Sequence, residues 1–203
     1  MKRTTLVASA VGLVLAVAAV GCAPTPPPAA DPVVDQLTTV APTASYFFTG
    51  TGTNSLGGGS NLITGQVFAA GITGTMPTVS LSFQQDTFAP VPTAVLSVSV
   101  TAAGANGLPT GPTLATATYT GLGSVGRALV DLTLSTPVPV TQGQRYAILA
   151  SSANAVWQVN QTVAASPHGP YLGGDVFVFN TFVPTGATQP VNDLYFRTWV
   201  VPA

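Results

Sequence analysis

The sequence contains no glutamate, and charge of either sign is scarce: Asp, Lys and Arg together make up 5% of its 203 residues, against about 25% in an ordinary domain. Lys2 and Arg3 sit at the extreme N-terminus, so the rest of the chain carries three Arg against six Asp, a formal charge of −3. Nucleic-acid binding rests on clustered Lys and Arg neutralising phosphates, so nucleic acid is excluded as a partner. There is one cysteine, Cys22, which cannot close a disulfide within the chain. One cysteine and one histidine, His168, also exclude a zinc cluster. A Ser–His–Asp triad would depend on His168. Its neighbours Pro167, Gly169 and Pro170 mark a surface loop, and no Gly-x-Ser-x-Gly elbow is present. Without Glu, acid–base work by paired carboxylates falls to Asp86, Asp131, Asp175 or Asp193.

What the chain does have begins with an address. Lys2 and Arg3 precede an apolar run over about 6–20, closed by Ala19-Val20-Gly21-Cys22. The pattern is an export signal over 1–21, too short and wrongly flanked for a lasting transmembrane helix. The small residues before Cys22 resemble the processing site of bacterial lipoproteins, with Ala19 where Leu is usual. That resemblance implies acylation of Cys22 and a membrane as partner through the N-terminal lipid; the alternative is an ordinary signal peptide in which Cys22 is incidental. Residues 22–42 are rich in Pro, Ala and Thr, a composition that favours a semi-rigid extended tether without regular structure.

Residues 43–203 read as strands. Leu96, Val98 and Val100 alternate with Ser97, Ser99 and Thr101, while Val130, Leu132 and Leu134 alternate with Asp131, Thr133 and Ser135, the period of two that marks a half-buried strand. Val79, Leu81 and Phe83 share one face, and further strands are expected near 46–48, 66–70, 146–149, 155–159, 176–180 and 194–201. Asn106–Gly107 and Pro109-Thr110-Gly111 supply turn chemistry, and Pro137, Pro139 and Gly143 bracket a crossing loop. The glycines at 57–59 lack a Gly-Lys-Ser/Thr and a following helix, so they read as a strand connection and not a phosphate loop. Nine or ten short strands with turn signals and no amphipathic helix predict an all-β antiparallel sandwich.

The stretches GQVFAAGITGTMPTVSLSF, ANGLPTGPTLATATYTG, LSTPVPVTQGQRYAILAS, PYLGGDVFVF and DLYFRTWV resemble the jelly-roll modules of secreted prokaryotic surface proteins sometimes classed as choice-of-anchor domains. The likeness covers 66–201. It implies a jelly-roll-like sandwich, similar in shape to carbohydrate-binding modules, with no defined active site. Gly126-Arg127-Ala128 stands where such modules often carry an aromatic.

Sugars stack their C–H faces on flat rings and give their hydroxyls to amides and carboxylates. On that basis Trp157, with Gln158 and Asn160 on the same strand and His168 and Tyr171 in the following loop, forms the candidate ligand platform. Trp157 also shares parity with Ala155 and Val159, the pattern of a core residue. Trp199 and Tyr195 read as packing, and Asp193 and Arg197 as an ion pair on one strand face. Asp175 and Asp193 with loop carbonyls are the candidate ligands of a structural calcium. The expected protein is a non-catalytic, lipid-anchored surface module whose partner is a polysaccharide or an envelope protein. The alternatives are a purely structural envelope component and a secreted polysaccharide hydrolase, which needs two Asp in one cleft.

Overall fold

The computed structural model describes residues 30–37, 53–56, 63–85, 92–121, 128–153, 155, 157–163, 174–179, 187–189 and 192–203. These form fourteen strands and no helix: β1 Val33–Leu37, β2 Thr53–Leu56, β3 Ile63–Ala69, β4 Gly74–Leu81, β5 Phe83–Gln85, β6 Val95–Ala103, β7 Pro109–Thr120, β8 Val130–Val140, β9 Arg145–Ser151, β10 Trp157–Val163, β11 Val176–Phe179, β12 Ala187–Gln189, β13 Asn192–Leu194 and β14 Phe196–Pro202. A six-stranded antiparallel sheet, ordered β12-β11-β3-β9-β6-β7, makes one layer. The other is a four-stranded sheet, β1-β14-β4-β8, beside a small sheet β13-β10-β2 whose β10 also takes β5.

The predicted alternation holds where it is strongest. Leu96, Val98 and Val100 of β6 are buried, as are Leu132 and Leu134 of β8 and Val79, Leu81 and Phe83 of β4 and β5. They meet between the layers, where the Phe68 ring of β3 lies 5.8 Å from that of Tyr146 and 6.3 Å from that of Phe196 on β14. In β3 the alternation disappears, because Val67 packs with Ala147 and Phe177 in a second cluster while Phe68 faces the main core. A strand buried on both faces has no polar side to show.

The architecture is the antiparallel sandwich expected from the strand pattern, with local departures. Two expected strands are each broken once, at Ser82 and Tyr195. The two interruptions face each other, Ser82 N–H donating to the Tyr195 carbonyl at 3.1 Å, where both strands pass from the four-stranded sheet to the small one. Pro137 and Pro139 lie inside β8 and not in a loop. That strand is the edge of its sheet, where the missing N–H of proline takes nothing from the ladder. Pro109 and Thr110 open β7 instead of turning the chain, and Gly111, at φ 71°, sits in the bulge where the register with β6 shifts. The tether assigned to 22–42 is also ordered in part: residues 33–37 pair with β14 as β1. The strand expected near 46–48 lies outside the described residues.

Candidate functional site

Register decides which side chains share the outer face of the four-stranded sheet. On β14, Phe196, Thr198 and Val200 point into the core, so Arg197 and Trp199 face outward. Trp199 stands opposite Val34 on β1 and Thr78 on β4, and Thr78 stands opposite Thr133 on β8. The next row contains Arg197, Ser80 and Asp131. Two polar rows therefore run side by side across three strands, about 10 Å from β14 to β8 at ordinary strand spacing.

Hydrogen bonds join the rows. The Trp199 indole Nε1–H donates to Ser80 Oγ at 2.9 Å, and the Ser80 hydroxyl donates to Asp131 Oδ1 at 2.5 Å. This relay holds the indole plane at one angle to the sheet. The Arg197 guanidinium lies over the Trp199 ring, 5.2 Å from its centroid, and its buried Nε has no hydrogen-bond partner among the described residues. A cation over an indole face is worth about 0.5–2 kcal/mol, depending on its desolvation. Beside these groups opens a cleft of about 390 Å³, lined by Pro32, Thr78, Asp131, Thr133 and Trp199. Among the described residues its chemistry is one half-buried indole, two hydroxyls and one carboxylate, with Pro32 as an apolar wall.

The expected platform at Trp157 is corrected. Trp157 is 0% exposed and stands edge-on to Phe83 and Tyr119, with ring centroids 5.6 and 6.1 Å away. An enclosed ring offers no face to a ligand. Gln158 is buried too and accepts a hydrogen bond from Gln84 Nε2 at 3.1 Å. Asn160 pairs with Thr53 of β2; its side chain, like His168, Tyr171 and Cys22, lies outside the described residues. The assignment of Trp199 to packing is corrected in the other direction, since this is the indole at the cleft.

Both proposed calcium ligands lie against β3, at Gln66 and Val67. Asp193 is 1% exposed, and its Oδ1 accepts from Gln66 Nε2 at 3.1 Å. Asp175 is half-buried, and its carbonyl accepts from Val67 N–H. Among the described residues no group of three His, Cys, Asp or Glu side chains comes together. Of the two residues expected to pair on one strand face, the Asp193 carboxylate accepts from Gln66 and the Arg197 guanidinium lies on Trp199. In comparisons with known proteins, no protein-family model matches this chain and no curated protein does.

Proposed function

We propose that this chain is an exported β-sandwich, lipid-anchored at Cys22, that binds a neutral glycan of the cell surface or envelope through the Trp199 cleft and performs no chemistry on it. The observation that carries the reading is the composition of that cleft. A half-exposed indole offers a stacking surface, and the Thr78 and Thr133 hydroxyls and the Asp131 carboxylate stand beside it to meet sugar hydroxyls. The volume is at the small end for ligand sites, suited to one or two sugar rings. A hydrolase reading has less support, because the described lining of the cleft holds one carboxylate where glycoside hydrolysis uses two across the scissile bond.

One observation favours the structural alternative. Val33 and Val34 of the edge strand β1 and Leu114 of the edge strand β7 are 37–42% exposed, and apolar strand edges invite pairing with another chain. The two readings part on one experiment: cosedimentation of the full chain with cell-wall and extracellular polysaccharides, with and without calcium, beside Trp199→Ala. Saturable binding lost in the variant supports the glycan module. Absence of binding to any polysaccharide contradicts it and moves the weight to envelope assembly. The anchor is tested separately, since Cys22→Ser is expected to release the protein from the membrane fraction, and retention there would overturn lipidation.

A further inference from the structure

Pro32 and Val34 fall within the stretch whose composition reads as a tether, yet one stands at the cleft and the other beside its indole. Pro32 lines it directly, and Val34 is the cross-strand neighbour of Trp199 on the side away from Thr78. The strand that brings them there is short, five residues with one pairing partner, β14. Its two described apolar side chains add little to holding it, since Val33 is 42% and Val34 37% exposed.

Polar contacts pin it instead. The Asp35 carboxylate accepts the Gly71 N–H, at 3.0 Å to Oδ1 and 3.2 Å to Oδ2, and the Gln36 N–H donates to Thr198 Oγ1 at 3.0 Å. The register with β14 shifts between Val34 and Leu37, where Asp35 turns aside to reach Gly71. Gly71 admits that approach because it has no side chain: a Cβ there would come within 2.6 Å of Gln36 Nε2 and 2.9 Å of Asp35 Oδ1. Short segments with few buried apolar contacts open at free energies far below that of global unfolding.

We infer that β1 and the preceding Pro32 form a removable wall of the binding cleft: ligand is held well only while the strand is docked on β14, and bound ligand in turn holds the strand in place. The inference rests on reading the Trp199 cleft as a glycan site. Its physical basis is linkage, since a ligand that touches Pro32 favours the docked state by its differential affinity, and the coupling is reciprocal. The stretch that carries the chain toward Cys22 thus becomes part of the site it presents.

The test uses the full chain in detergent with hexasaccharides of β-1,4-glucose, β-1,4-N-acetylglucosamine and α-1,6-mannose as probes. Asp35→Ala/Gln36→Pro removes both polar pins from β1 without altering β14, and Pro32→Gly removes the wall while leaving the strand. Each is expected to weaken oligosaccharide affinity about tenfold, equivalent to about 1.4 kcal/mol, with little change in Tm. Saturating sugar is expected to slow amide exchange over 33–37 in the native chain. Binding that is lost in Trp199→Ala but unchanged in both β1 variants, with exchange over 33–37 unmoved, overturns the wall and leaves the glycan reading standing. Should no sugar bind, the glycan reading fails and acrylamide quenching of tryptophan emission decides the wall. Greater accessibility of Trp199 in the double variant supports it, and unchanged quenching overturns it.

Discussion

Trp199 donates its indole N–H to the Ser80 hydroxyl at 2.9 Å across neighbouring strands, and Ser80 donates onward to Asp131. Three residues on three adjacent strands of one sheet are joined in this way. The second tryptophan, Trp157, has no acceptor for its Nε1–H among the described residues and is enclosed by Phe83 and Tyr119. One indole is oriented at a solvent-facing cleft; the other fills the core.

Stability separates the two rings. Trp157→Ala removes a fully enclosed side chain and is expected to cost about 3–5 kcal/mol, lowering Tm by roughly 6–20 °C for a domain of this size. Trp157→Phe is expected to cost about 1–2 kcal/mol, since the smaller ring keeps much of the packing and removes the unpartnered N–H. Trp199→Ala is expected to cost about 1 kcal/mol, as befits a surface-facing position. Thermal and urea unfolding of the three variants checks the order.

The relay through Ser80 bears on affinity more than on folding. Ser80→Ala removes the acceptor of the indole N–H and the donor to Asp131, a loss of about 1 kcal/mol in stability. It also frees the Trp199 ring to change its angle. Asp131→Asn keeps the shape of the carboxylate and removes its charge. Both variants are expected to weaken oligosaccharide binding about tenfold, equivalent to about 1.4 kcal/mol, in titration calorimetry.

Gln66 is the polar counterpart of the Trp157 cluster. Its amide donates to the Val67 carbonyl and to Asp193 Oδ1 and accepts the Leu194 N–H, all buried, tying β3 of one layer to β13 of the other. Gln66→Leu removes three hydrogen bonds at once and is expected to cost about 2–4 kcal/mol. Asp193→Asn retains an acceptor oxygen and is expected to cost less. Urea midpoints of the two variants measure the difference.

The docking of β1 responds to pH through Asp35. Burial is the larger influence and raises its carboxyl above the ordinary range, against hydrogen bonds from Gly71, Gln36 and Ile72 that lower it. A raised folded-state value means that the docked strand favours the protonated form. Docking is therefore tightest below about pH 4, the unperturbed Asp range, and loosens as pH rises through the raised value. Acrylamide quenching of Trp199 is expected to increase over that rise in the native chain and to stay flat in Asp35→Asn.

The layers and core strands were legible from alternation because half-buried strands carry it in their sequence, as in Leu96, Val98 and Val100. The roles of the tryptophans were written there too, in the neighbours of each. Trp157 shares parity with Ala155 and Val159, whereas Trp199 shares parity with Arg197, and a charge on a strand marks its solvent side. Other features had no local mark. That residues 33–37 leave a Pro-rich stretch to pair with β14, and that Gly71 receives Asp35, depends on partners 36 to 162 residues away. Composition alone cannot report such pairings.

The most direct test of the account is the accessibility of its two tryptophans, measured by acrylamide quenching of the native chain with and without the hexasaccharides. One quenchable and one shielded indole are expected, the quenchable one absent in Trp199→Ala and protected by bound sugar. A chain that binds sugar while its quenchable indole stays fully accessible, or that shows quenching unaffected by Trp199→Ala, would contradict it.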